Sequence, residues 1–246
     1  MSNPRILITG GAGYLGSEVC RQAAAAGHDV VAVQLRRPPP FGRPLPVDIR
    51  TPFDVDADVV VQTAYVQRDA DTIVRGSRNV ASAAARAGAR LIHLSTDLVF
   101  DGEHAPYREE DEPRPVSDYG RAKLEAEGVV PKDGLVVRTS LLYGKPGPQE
   151  ALALRGDVVF HTDEIRCPTH VTDLAAALLE LAELDVAGIL HVAGPDAVSR
   201  LELARLLGAR DPQGAPAPPG RARNVALDSS RARALLTTEM RGLLHS

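Results

Sequence analysis

Residues 5–33 read RILITGGAGYLGSEVCRQAAAAGHDVVAV, and the order of residue types within them decides the fold. Arg5–Thr9 is a short run rich in Ile and Leu, the pattern of a strand buried on both faces. Gly10-Gly-Ala-Gly13-Tyr-Leu-Gly16 follows at once. A helix over Ser17–Ala26 continues from it, with Leu15, Val19, Ala23 and Ala26 on one stripe. Gly27 stands where a glycine ends a helix, and Asp29–Val33 is the next strand. The glycines therefore lie between a strand and a helix of one βαβ unit, and each has its own task. Gly10 permits the tight turn, Gly13 lets backbone N–H groups approach a pyrophosphate, and Gly16 lets the helix pack close to the strand. The helix N-terminus favours the anion. The spacing is G-x-x-G-x-x-G rather than G-x-G-x-x-G, and the segment predicts dinucleotide binding.

An acidic residue about 20 positions on would hold the ribose 2′-hydroxyl of NAD. This chain has Gln34-Leu35-Arg36-Arg37 there. Guanidinium groups suit a 2′-phosphate, so Arg36 and Arg37 favour NADP(H) over NAD(H). The alternative is that both are solvated loop charges before Pro38-Pro39-Pro40.

Strands and helices go on alternating, which predicts an α/β chain with a doubly wound parallel sheet. The pattern places a third strand at Val47–Ile49, a strand at Asp58–Gln62, a helix from Asp69 to Ala87 and a strand at Arg90–Leu94. A helix from Asp118 to Val130 and a strand at Gly134–Arg138 follow. Beyond them come a helix at Thr172–Ala182, a strand at Gly188–Val192, a helix at Ser199–Leu207 and a last short helix at Asp228–Leu236. Residues 211–221, rich in Pro, Gly and Ala, read as a linker loop. The 246 residues fit one domain. A net charge of −4 without a basic stripe argues against nucleic acid as the main partner. No apolar run is long enough to span a bilayer, no signal segment opens the chain, and two cysteines make no disulfide framework. These features point to a soluble cytoplasmic protein.

The chemistry is read from residues 94–127, LSTDLVFDGEHAPYREEDEPRPVSDYGRAKLEAE. Tyr119 and Lys123 are four apart on the predicted helix and share a face. An ammonium beside a phenol stabilises the phenolate, which makes a proton donor and acceptor. A hydroxyl at the strand end, Thr96, completes the set by hydrogen-bonding the same substrate oxygen. A Tyr-x-x-x-Lys pair alone is weak, because an aromatic and a solvated lysine often share a surface helix; the predicted dinucleotide gives the pair a task. His161, Cys167 and His170 match no zinc spacing, so no metal is expected. The acidic run Glu109–Glu112 reads as a solvated loop. No Gly-x-Ser-x-Gly elbow supports a serine hydrolase, and Arg138 reads as a structural charge.

Taken together, these motifs resemble those of the extended short-chain dehydrogenase/reductases, and within them the dTDP-4-dehydrorhamnose reductases and their sugar-nucleotide-binding relatives. Thr9–Gly16 is similar to the superfamily's cofactor loop. Ser95–Gly102 with Pro106-Tyr107 and Glu109–Pro113 is similar to the rhamnose-type segment, and Tyr119–Glu127 to the catalytic helix. Arg138–Gly144, Pro168–Ala175, His191–Gly194 and Asn224–Ser230 resemble later landmarks. The resemblance implies a Rossmann-type domain over 1–246 with a small substrate lobe, built mainly from 144–170 and 195–246. It implies Tyr119 as general acid, Lys123 as its partner and ribose anchor, and Thr96 as the carbonyl-orienting hydroxyl. Gly10, Gly13, Tyr14, Leu15 and Gly16 would hold the cofactor, Asp48 and Ile49 would flank its adenine, and Ala64 and Tyr65 would line the nicotinamide ribose. Asn79 would help position the site. The family expectation is an NADP-dependent ketoreductase acting on a 4-keto-deoxy nucleotide-sugar, with dimerisation through the helices after residues 118 and 68. The stretch from Gly144 to Asp157 is shorter than in the family, which leaves the substrate open. The alternatives are an epimerase or dehydratase on the same scaffold, or a cofactor-binding regulatory subunit.

Overall fold

A computed structural model describes residues 3–144 and 147–244. The expected substrate lobe thus has residues 145–146 and 245–246 outside the described part. Along the chain, β1 (Arg5–Thr9), α1 (Tyr14–Ala25), β2 (Asp29–Gln34), β3 (Arg43–Pro46), β4 (Val59–Gln62), α2 (Ala70–Ala87) and β5 (Arg90–Thr96) come first. Next are α3 (Asp118–Glu127), β6 (Leu135–Thr139), β7 (Leu142–Tyr143), α4 (Pro148–Ala153), β8 (Val159–His161), β9 (Ile165–Arg166) and β10 (Thr169–His170). The chain then runs through α5 (Val171–Glu183), β11 (Gly188–His191), β12 (Val198–Ser199), α6 (Arg200–Leu206), β13 (Gln213–Ala215) and α7 (Ser230–Leu235). Contacts divide it into two units: 1–95, 122–137 and 175–189 in the first, 96–121, 138–174 and 190–246 in the second.

The first unit carries the seven-stranded sheet, in the order β11-β6-β5-β4-β1-β2-β3. The pairings of β1 with β2 and β4, of β2 with β3 and of β4 with β5 are all parallel. The winding reverses between β1 and β4, the switch point beside whose strand ends open α/β sheets bind their ligands. β1, β2, β4, β5 and β6 are largely apolar and buried on both faces, as strands of a covered parallel sheet are. Leu7, Val31, Val33, Val60 and Leu91 form one layer with Val80, Ala81 and Ala84 of α2. The bounds of α2 follow from local chemistry. Asp69 caps its start by accepting from the Thr72 N–H at 3.1 Å, and Gly88 ends it at φ 66°.

The third strand and the expected linker differ from the sequence reading, which also placed none of the short strands β7–β10 and β12. The third strand is Arg43–Pro46, inside the proline-rich loop, and not Val47–Ile49. It is the sheet edge, where one side of the backbone needs no partner. Pro44 and Pro46, two residues apart, turn their missing N–H to that open side, while the Val47 N–H reaches the Gln34 carbonyl at 3.0 Å. Within the expected linker 211–221, Gln213–Ala215 forms β13, parallel to β8. Gly214 packs close to α6, where a Cβ would lie 2.6 Å from Leu201 Cδ2.

The second unit is built from short pairs: β7 with β10, β8 with β13 and β9 with β12. Phe100 is fully buried in it, stacked on Tyr107 at 4.1 Å and lying 5.2 Å beneath the Arg138 guanidinium.

Candidate active site

The glycine loop of the first unit is shaped by close approaches. Gly10 has φ 72°, a conformation side chains disfavour. A Cβ at Gly16 would lie 2.2 Å from the Gly10 carbonyl oxygen and 2.9 Å from Thr63 Oγ1, so any side chain there would push α1 off the loop. Gly13 is the N-cap of α1 and has no side chain to satisfy the first amides. The positive end of a helix and the space left by absent Cβ atoms together fit a pyrophosphate. The helix begins at Tyr14, earlier than Ser17, so Tyr14 and Leu15 belong to its first turn. Thr9 ties this loop to the one after β4. Its hydroxyl accepts from the Ala64 N–H at 3.1 Å, and its carbonyl accepts from Thr63 Oγ1 at 2.7 Å.

Among the other expected cofactor residues, Ile49 is buried against Gly76, and its carbonyl accepts from Asn79 Nδ2 at 2.9 Å. Asn79 thus holds the segment that carries Asp48. Asp48 is engaged by Arg50, whose Nη2 lies 2.6 Å away, and that guanidinium lowers the carboxyl to about 2. Arg36 and Arg37 are exposed just beyond β2.

Lys123, in the first unit, is only 4% exposed. Its Nζ donates to the Leu94 carbonyl at 2.7 Å and lies 5.2 Å from the centre of the Tyr65 ring. Two expected site residues are thereby brought together. Desolvation lowers the ammonium to about 8, with Glu127 opposing the shift. Glu127 also accepts from Ser95 Oγ at 2.5 Å, which engages Ser95 away from a substrate role. Behind Lys123, His93 Nδ1 meets Gln62 Oε1 at 3.0 Å, Gln62 donates to Ser77 Oγ, and Ser77 donates to the Ile73 carbonyl. Burial, and then Lys123, push the His93 imidazole well below its usual range, so it stays neutral.

In the second unit, Thr96 ends β5 and is 7% exposed. Its Oγ1 accepts from the Leu98 N–H at 3.3 Å and donates to Asp97 Oδ1 at 3.1 Å. Asp97 is completely buried and paired with Arg166, whose Nε lies 2.7 Å from Oδ2 and whose Nη2 bonds Oδ1. Ser140 Oγ adds a bond to Oδ2 at 2.5 Å. Gly120 sets the start of α3 against this segment, since a Cβ there would lie 2.1 Å from the Leu98 carbonyl oxygen. The residue beside it is Tyr119, half-buried in the first turn, with Ser117 Oγ accepting from the Gly120 N–H at 3.1 Å. Tyr119 and Lys123 are one turn apart on α3.

Sequence reasoning missed Arg166. The only signal was a charge set between Ile165 and Cys167 just before Pro168-Thr169, and nothing local tells such a residue from a surface arginine. His161 and His170, weighed as metal ligands, have other partners: His161 Nδ1 lies 2.7 Å from Glu164, and His170 packs edge-on to Tyr143.

The RmlD substrate binding domain family matches residues 4–239. The chain belongs to this family. It is 37% identical over 232 residues to a dTDP-4-dehydrorhamnose reductase of Mycobacterium tuberculosis, covering 82% of this chain and 73% of the relative. It is also 34% identical to the methionine adenosyltransferase 2 subunit beta of Bos taurus, over 82% of this chain and 70% of that one. Among solved structures, a hypothetical dTDP-4-dehydrorhamnose reductase from Sulfolobus tokodaii superposes with a TM-score of 0.83 at 30% identity, covering 96% of both chains.

Proposed function

We propose that this family member is an NADP-dependent reductase of a ketone on a deoxy nucleotide-sugar, of the dTDP-4-dehydrorhamnose type. The observation that carries the reading is a buried Lys123 four residues from Tyr119 on α3, in a chain whose glycine loop opens a helix with close approaches that only glycine allows. The reduced dinucleotide, when bound, supplies hydride to the ketone carbon. This chain's residues supply the rest. The loop Gly10–Gly16 takes the pyrophosphate, Ala64 and Tyr65 take the nicotinamide ribose, and Lys123 anchors that ribose. Thr96 turns its hydroxyl from Asp97 to the ketone oxygen. Tyr119 gives that oxygen its phenolic proton and regains one from solvent, so the product is the alcohol. Residues 144–170 and 195–246 are assigned to the sugar end. Purified protein with reduced cofactor and dTDP-4-dehydrorhamnose is expected to consume the two in equal amounts; binding without consumption contradicts the reading.

Arg36 and Arg37 carry the cofactor preference. Replacing both by Ala is expected to weaken NADPH binding about tenfold or more, the loss of a charge-assisted contact to the 2′-phosphate. NADH binding should stay within about twofold, because its ribose carries no phosphate. Fluorescence titration of the two cofactors checks this, and equal losses for both would show that the arginines do not read the phosphate.

A second reading has one observation behind it, the 34% identity to a protein named as a subunit of methionine adenosyltransferase. On that reading the chain binds a dinucleotide and a partner protein without reducing anything. The presence of both Tyr119 and Lys123 favours the enzyme.

A further inference from the structure

We propose that Asp97 and Arg166 form a positioning pair for the reaction, in which Arg166 is a second cation acting on the Tyr119 oxygen and Asp97 limits how much of that charge the phenol receives. This rests on the reading of Tyr119 as proton donor. The geometry is specific. Arg166 is 4% exposed and held by two bonds to a carboxylate that is itself at 0%. The same carboxylate accepts from Ser140 and from the Thr96 hydroxyl, so one buried anion holds the guanidinium and borders the expected carbonyl-binding hydroxyl. The close approach of Gly120 to the Leu98 carbonyl holds the first turn of α3, and so Tyr119, against the segment bearing Asp97.

The surrounding charges leave this pair electrostatically live. Burial works against the Arg166 charge, but Asp97, Glu164 and Tyr119 more than offset it, and the guanidinium stays above its ordinary range. Glu164, 3.6 Å from Arg166, is itself taken up by His161 and Arg221. Arg200 completes the group: burial, then Arg166, lower it to about 10, while it donates to Gln149 at 2.8 Å. Cys167 adjoins the pair, and its thiol is pushed up to about 11 chiefly by burial. A buried ion pair is a poor investment in stability when apolar groups of the same size would serve. Its place beside the Thr96 hydroxyl, with Tyr119 among the charges acting on Arg166, is accounted for by charge placed where a phenolate forms.

The two members act with opposite signs, and this separates positioning from scaffolding. Arg166→Met removes the cation, so the phenolate loses stabilisation and the Tyr119 pKa rises. Asp97→Asn keeps the shape but frees the cation from its counter-charge, so the Tyr119 pKa falls. Each shift is expected to be about one unit. Arg166→Lys should stay near the parent value. The full-length protein labelled at tyrosine Cζ reports this by NMR titration, with Tyr119→Phe assigning its resonance among the five tyrosines. The titration needs neither ketone nor turnover, so its outcome is separable from that of the reductase reading. In a turnover assay the same shifts would move the alkaline limb of ketone reduction up for Arg166→Met and down for Asp97→Asn. Opposite shifts support the proposal. Unchanged values, or shifts in one direction for both, overturn it. If Arg166→Met does not fold, the isosteric Asp97→Asn decides alone: a fall supports the pair, and no change overturns it.

Discussion

Tyr119→Phe is expected to lower kcat for ketone reduction about a thousandfold, the scale of a positioned general acid. The substitution removes one oxygen and keeps the ring, which is half-buried at the start of α3. Helix geometry should therefore survive: Gly120 still packs on the Leu98 carbonyl, and Lys123 still bonds the Leu94 carbonyl. Cofactor affinity should hold within about twofold, because the glycine loop and Lys123 are untouched. KM should change little, since the proton is given only as the transition state forms. Steady-state kinetics with a cofactor titration tests the split. A rise in KM at constant kcat would make Tyr119 a binding residue and remove the acid–base role.

Lys123→Met is expected to abolish turnover and yet make the fold more stable near neutral pH. The ammonium is 4% exposed and lowered to about 8 from 10.5, chiefly by desolvation. A shift of that size corresponds to a penalty on the order of 3 kcal/mol for holding the charge. Loss of the bond to the Leu94 carbonyl takes back about 1 kcal/mol, so a gain of about 2 kcal/mol remains. The sign has a pH signature. The folded pKa lies below the unfolded one, so between the two values the unfolded chain binds more protons. The penalty is complete below about 8 and is relieved as pH rises towards 10.5. The variant's advantage should therefore be largest at neutral pH and shrink in alkaline buffer. Urea unfolding at both pH values measures it. A variant less stable than the parent at neutral pH would show that Lys123 is held for structure. A residue that weakens the fold but is needed for turnover is the trade between stability and activity expected of a functional site.

The parts legible in the sequence are those governed by local rules. Strands at 5–9 and 29–34 show as apolar runs, and α2 is marked at both ends by Asp69 and Gly88. The glycine loop is legible because each close approach excludes a Cβ, and only glycine meets that demand. The edge strand at 43–46 was hidden because proline normally argues against a strand, and its tolerance there depends on which side has a partner. β13 was hidden likewise, since its pairing with β8 joins residues far apart in sequence. For the site, the Tyr119–Lys123 spacing is a helix property and is read directly. Lys123 and Tyr65 meet only through the packing of separate segments, and the Asp97–Arg166 pair joins residues 69 positions apart. Such contacts leave no local mark on a single chain.

In the proposed reaction, hydride passes to a ketone while Tyr119 gives the proton. The most direct measurement follows the hydride itself. Reduced NADP carrying deuterium at its transferable position, incubated with the protein and dTDP-4-dehydrorhamnose, is expected to place one deuterium on the carbon that held the ketone, detected by mass spectrometry and NMR of the product. Only one of the two faces of the nicotinamide should deliver it, and Tyr119→Phe should leave the sugar unlabelled. A rearranged sugar with no net consumption of the cofactor would point to an epimerase or dehydratase. Tight cofactor binding with no label in the sugar would contradict the reductase account.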